Sequence, residues 1–529
     1  MPTTPIPKGM EFSPITELTA PFNSETDSIC VVDNINAFPN VSGGEEGIIV
    51  LCEDPTFKST DPLDYEVFTY TGRDTSLNRL TGVVSRAGVA HRVWDAGTKA
   101  SCMWTNYAWS TIRNTVNHVA GEIDDRALLI TQDETKYLPD DFATLQDAFE
   151  HYSKCKVSEG TQVTLVMKDT FQLSAGAVIT NTDLGFIKLT CETGDGTVKK
   201  VHTNWPAYAG GTIDTEECFL IVQDGAVGPR LACIIDMDGK GLHGIVLQRN
   251  ASMATHSDWH EYAYVAGVIG ATHGRGALLR DCSTLYADWS RWDSNKRGVQ
   301  ITSGSRMSAQ WSSFCNNVED GVLVSRSSSV NFRAHDTANV NLRYWSKFNN
   351  NGSHGMRIYR SQAEVGNAEF EDNGDSGVWV YEGSNFSCVR GKFNDNGEHG
   401  LKITHGSRAY AREGEFNNNT ERGCIMEQSS NLEAQHSEFV NNGNEGLYCM
   451  QASSASVAFS TITHNERGVF VANVSSVDLG GCTFSNNTHE DVRIRRGSNV
   501  NVTGTGILTE KMNIAAFNTL YKEGIAFVD

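Results

Sequence analysis

Proline, frequent up to residue 62, is absent beyond Gly244, so the chain changes character between its two parts. No run of about 18 apolar residues occurs, which excludes a spanning helix, and membrane insertion is not expected. Met1–Pro14 has no basic stretch followed by an apolar one, so no leader is expected there. The 13 cysteines are scattered without CxxC pairs or zinc-finger spacing, which fits free, buried thiols in a reducing compartment. Positive charge is also short: 43 basic against 64 acidic residues gives −21. Such a balance repels phosphates, and nucleic acid is not expected as a partner. Phosphate-binding glycine loops, nucleophile elbows and zincin motifs are missing as well.

What is present is a repeat. A glycine column runs through Gly276, Gly298, Gly321, Gly355, Gly377, Gly400, Gly423, Gly446 and Gly468, mostly at steps of 22 or 23 residues, with Asp491 in the next place. Ahead of the later members stand Phe314, Phe348, Phe370, Phe393, Phe416, Phe439, Ile462 and Phe484. Three residues after each of these comes asparagine, from Asn317 and Asn351 to Asn465 and Asn487. After the glycine follows an alternating strand such as Met356-Arg357-Ile358, whose outer members point inward.

Stacked asparagine amides about 4.8 Å apart can hydrogen-bond from coil to coil, and asparagine tolerates the left-handed conformation of a sharp corner. Glycine lets the next corner turn without a Cβ clash. Helical repeats need 33 or more residues and a 3.6 period, so they are excluded. The expected fold is all-β: a right-handed single-stranded parallel β-helix of about eleven coils over residues 161–506. Residues 126–160 hold a connector and a capping helix that starts at Asp141-Phe142 and carries Phe142, Leu145, Ala148, Phe149 and Tyr152 on one face. Residues 507–529 form a C-terminal cap. The proline-containing segment 1–125 reads as a separate mixed domain, closed by a helix over Thr105–Ile123.

Two coils carry about ten extra residues each, at Ala254–Val265 and about Ala334–Trp345. Strand alignment puts both at one corner, three coil steps or about 14 Å apart. Side chains that hold sugars gather there. The candidates for glycan contact are Trp259, Tyr262, Trp289, Trp292, Tyr344 and Trp345, through ring stacking. Candidate catalytic carboxylates are Asp258, Asp288 and Asp336, because glycan cleavage needs one protonated and one ionised acid. Glu261, Asp281 and Asp293 lie nearby. His256-x-Asp258-x-His260 would project three side chains to one side of a strand, but it lacks a fourth ligand, so neither metal nor cofactor is expected.

A non-repetitive N-terminal domain, a capping helix (Phe-Ala-Thr-Leu-Gln-Asp-Ala-Phe, from Phe142) and a long parallel β-helix together resemble the tailspikes and baseplate-attached fibres of tailed bacteriophages, with their pectate-lyase-like helix. The stretch from Leu80-Thr81-Gly82-Val83 through Arg86, Trp94 and Gly97-Thr98 to Asn114–His118 is similar to a segment of phage tail and baseplate proteins. The resemblance implies a virion location in the tail or baseplate after assembly in the host cytoplasm. It also implies attachment to other tail or baseplate proteins through residues 1–125, a parallel homotrimer, and an outer surface that binds host surface polysaccharide. Three functions remain open: a structural, receptor-binding tail component; a polysaccharide depolymerase, hydrolase or lyase, on the same scaffold; and a cellular carbohydrate-active enzyme. The sequence does not choose between binding and cleavage.

Overall fold

The computed structural model describes residues 15–101 and 129–528, apart from 24–25, 39–40, 42–46, 53–64, 86–92, 172–175, 193–199, 203–217, 240–241, 256–265, 334–344, 506–511, 515–518 and 523–524. The chain divides into two compact units, Met1–Ala127 and Leu128–Asp529.

In the first unit a five-stranded antiparallel sheet is built around Gly47–Cys52 and Tyr65–Tyr70. Phe22, Phe68, Tyr70 and Trp94 are buried in its core. Phe22 meets Phe68 edge to face at 5.2 Å, and the Trp94 indole donates to the buried Glu66 carboxylate at 2.9 Å. The helix expected over Thr105–Ile123 lies outside the described residues.

The second unit is the right-handed parallel β-helix. Its first wall is a 14-stranded sheet from Ala177–Thr180 to Met512–Ile514, parallel throughout. The second wall has 13 strands: twelve parallel ones from Ser252–Ala254 to Thr519–Lys522, and a thirteenth, Ile525–Val528, folded back antiparallel on the last of them. Short strands and single bridges form the third wall, including Ser290–Arg291, Ser346–Lys347 and Glu438–Val440. About fourteen turns replace the expected eleven. Parallel pairing already joins Glu134–Leu138 to Val163–Met167, and it continues to Thr519–Lys522, so the ladder extends beyond 161–506 at both ends. The early coils vary in length and lack the Phe–Asn–Gly signature, which is why the repeat alone misses them.

Each column of the repeat has a visible task. Phe348, Phe370, Phe393, Phe416 and Phe439 stack face to face inside the tube at 4.7–5.2 Å. From Asn317 to Asn465 the amide of each asparagine bonds to the next coil: Asn373 Nδ2 and backbone N, for instance, both donate to Asn396 Oδ1, at 3.0 and 3.1 Å. The left-handed residue, however, is the one before this asparagine, at Asn350, Asp372, Asp395, Asn418 and Asn441, with φ near +58°. Asn351, Asn373 and Asn396 point their amides into the buried ladder, and the corner itself bends one residue earlier. Glycine is required for space. A Cβ on Gly400 would lie 2.6 Å from the Gly423 carbonyl oxygen and 2.7 Å from that of Phe393.

The capping helix spans Leu145–Ser153 and buries Leu145, Ala148, Phe149 and Tyr152. It begins three residues later than the pattern suggests because Thr144 is its N-cap, in a reciprocal capping box with Asp147. Asp141 instead accepts from the backbone of Tyr137, and Phe142 packs on Tyr152 from outside the helix.

Candidate functional site

Both long loops connect the second wall to the third. The first leaves after Thr255 and returns at Ala266–Ile269, which pairs with Ser290–Arg291; the second leaves after Phe332 and returns at Ser346–Lys347. The loops themselves, with Asp258, Trp259, Tyr262, Asp336 and Tyr344, lie outside the described residues, as does the His256–His260 triplet. Among the described residues no cluster of histidine, cysteine and acidic side chains is placed to hold a metal.

The two coils between the loops turn this same corner through Asp288-Trp289 and Gln310-Trp311. Backbone bonds fix them in register: Trp289 N donates to Gln310 O at 2.9 Å, and Thr255 N donates to Tyr286 O at 2.7 Å. Trp289 and Trp311 both adopt left-handed backbone, φ 54° and 52°. Their indoles are half-buried and stacked, with centroids 4.9 Å apart. A bulky side chain in this conformation is costly, and such outliers persist where the surroundings impose them. Asp288 is half-buried beside them. Its Oδ1 accepts from Gln310 N at 2.7 Å, and burial pushes its carboxyl above the usual range.

This corner adjoins a groove of about 540 Å³ on the outer face of the second wall, reached through Tyr286, which is 58 % exposed. The floor crosses five strands, from Thr284–Tyr286 to Asn385–Val389, and carries Arg306, Asn331, Gln362, Glu364 and Asn385. Alternation explains the lining: in Arg306-Met307-Ser308 only Met307 is buried, so the hydrogen-bonding members face outward. Five strands at about 4.8 Å spacing give a trough roughly 19 Å long.

The remaining sequence candidates divide. Trp292 is not a glycan contact. It is fully buried, and its indole N–H donates to Ser290 Oγ at 2.6 Å, because its place in the coil faces the tube interior. Trp345 is half-buried at the return of the second loop, with Lys392 Nζ 5.0 Å from its ring centre. Asp293 is buried and occupied, accepting from Ser313 Oγ, Cys315 N and Arg291 Nε. Arg306, Asn331, Gln362, Glu364 and Asn385 escaped sequence reasoning. Their signal is a column of outward polar residues flanking one buried residue in the second strand of each coil.

Residues 297–462 match the family described as "Right handed beta helix region". That is about a third of the chain, over its most regular coils. No curated protein matches the sequence. Similar solved structures include the periplasmic alginate epimerase AlgG, at 12% identity over 77% of this chain and 88% of that one, TM-score 0.32. The Agl-KA catalytic domain aligns at 10% identity over 96% and 87%, TM-score 0.29. The Gp54 tailspike of Acinetobacter baumannii bacteriophage AP22, solved with capsular saccharide, aligns at 9% identity over 96% and 66%, TM-score 0.20.

Proposed function

We propose that this protein binds an extended polysaccharide in the groove of the second wall, as the receptor-binding spike or fibre component of a phage tail. The observation that carries the binding reading is a trough of outward polar side chains with exposed Tyr286 at one end, three residues along the chain from the stacked Trp289 at the corner. Aromatic faces take sugar CH surfaces, and amides, hydroxyls and guanidinium groups take their oxygens. The tail role rests on the resemblance of the whole layout. In it residues 1–125 dock onto other tail or baseplate proteins, the chain assembles in the host cytoplasm as a parallel homotrimer, and the β-helix meets the host surface.

The first wall supplies a candidate subunit contact. Trp379 stacks on Tyr381 at 4.4 Å and Tyr448 on Phe470 at 5.0 Å along its outer face. Lys402 and Arg422 cover parts of those rings, at 5.2 and 4.5 Å.

One observation favours cleavage as a second reading. A carboxyl whose hold on its proton is strengthened by burial suits a general acid, and burial acts on Asp288 in that direction, opposed by the hydrogen bond from Gln310 N. Purified surface polysaccharide from candidate hosts, incubated with the protein, tests both readings. Retention without new reducing ends or unsaturated products supports a binding component. Products that vanish in Asp288→Asn support a depolymerase, and neither retention nor products would refute the glycan reading.

A further inference from the structure

The groove's charge pattern carries the proposed reading one step further, to the chemistry of the polymer. Thr284, Arg306, Ser329, Gln362, Asn385 and Arg408 occupy one register row across successive strands of the second wall. All alternate with a buried neighbour, so the row faces outward. Arg306 and Arg408 are exposed, and among the described residues neither guanidinium has an ion-pair or hydrogen-bond partner. The carboxylates in the adjacent row are engaged elsewhere: Glu364 accepts from Arg333 at 2.9 Å, and Glu433 lies 3.7 Å from Arg412.

In a chain of net charge −21, a polyanion is repelled unless local cations receive it. Two unengaged arginines in one row, Arg306 on the groove floor and Arg408 one strand beyond its end, are such receivers, and guanidinium matches carboxylate and phosphate by paired N–H donation. Arg306 and Arg408 are four coil steps apart. At about 4.8 Å per step the span is roughly 19 Å, which an extended chain of pyranose rings, each about one step long, covers with about four residues. Between them the row offers only Ser329, Gln362 and Asn385, which suit neutral sugar hydroxyls.

We infer that the groove, with the row that continues it to the next strand, selects an acidic polysaccharide whose anionic groups recur about every fourth sugar, one on Arg306 and the next on Arg408. The inference rests on the groove being the glycan site. The shared chemistry is an anion, either the carboxylate of a sugar acid or a phosphodiester.

A panel of purified bacterial capsular polysaccharides of known repeat, acidic and neutral, provides the probe. Binding is measured at low and high salt for the wild type, Arg306→Gln, Arg408→Gln, the double variant and Trp289→Ala. Acidic polymers alone should bind. Each arginine variant should weaken binding several-fold, and the double variant at least thirtyfold at low salt, with unchanged melting temperature and a shallower salt dependence. Carbodiimide-driven reduction of carboxylates abolishes binding if a sugar acid is the anion and spares it if a phosphodiester is. Equal binding of neutral polymers, or a double variant that binds like wild type while Trp289→Ala does not, overturns the charge inference and leaves the groove standing. If no member binds, or Trp289→Ala changes nothing, the groove reading falls and this inference falls with it.

Discussion

The indole of Trp289 lies on that of Trp311, one coil away, with ring planes 24° apart and both residues in left-handed backbone. Two left-handed L-residues together cost about 2–4 kcal/mol, while the aromatic stack returns about 1 kcal/mol and half-burial of two large apolar side chains about 2 kcal/mol more. The pair is therefore close to neutral for folding. Replacing both by glycine should leave the melting temperature within a few degrees of wild type while weakening polysaccharide binding about tenfold, the loss of roughly 1 kcal/mol or more expected when aromatic platforms go. Calorimetry beside a binding isotherm checks this; a large fall in melting temperature would assign the pair to stability instead.

The asparagine ladder makes the opposite kind of prediction. Asn396 is fully buried; its Nδ2 donates to Phe370 O and Asn419 Oδ1, and its Oδ1 receives two bonds from Asn373. Asn396→Ala strands these partners without water, at a cost on the order of 3 kcal/mol. Urea unfolding should show it, with glycan binding by the remaining folded protein unchanged.

Acid should weaken the β-helix before most of its carboxylates titrate. Burial lowers His354 to about 4, and His243 and His399 to about 3. The unfolded chain takes up these protons near pH 6.5 and the native chain only near 3–4. Between those limits the unfolded state binds more protons, so stability rises with pH and is lost on acidification. His354 alone contributes on the order of 3 kcal/mol to that loss. Unfolding midpoints at pH 7 and pH 4.5 measure the slope, and His399→Gln should flatten it.

Residues 128–529 form a compact unit of their own. Expressed without the first 127 residues, they should fold cooperatively, bind polysaccharide as the full chain does, and fail to join the virion. Light scattering on the same protein tests for a trimer at micromolar concentration; a stable monomer would remove the assembly proposal. Normal incorporation of the shortened chain would move the anchor elsewhere.

The regular coils could be read in the sequence because each physical constraint there falls on one residue type at one spacing. Only glycine fits under the next coil's carbonyl at Gly400, and only an amide continues the ladder at Asn396. Coils before Gly244 obey the same backbone pairing with apolar residues of many kinds, as at Val163–Met167 and Ile187–Cys191, so no column announces them. At the corner, composition singled out Trp289 and Trp292 alike. Only the coil's three-dimensional path separates the outward indole from the buried one. The groove floor was silent because serine, asparagine and glutamine on an outward strand read as ordinary solvated surface.

The sameness of the coils from Gly377 to Gly468 bears on heredity. Removing residues 400–422 would bring Phe393, Asn396 and His399 into the same spacing ahead of Gly423 that they now hold ahead of Gly400. The same phenylalanine, asparagine and glycine neighbours would meet across the join. Loss or duplication of such a stretch in the gene would shorten or lengthen the rod by about 4.8 Å while every buried contact type survives. Length can therefore drift between descendants in whole coils, without a new core having to be invented each time.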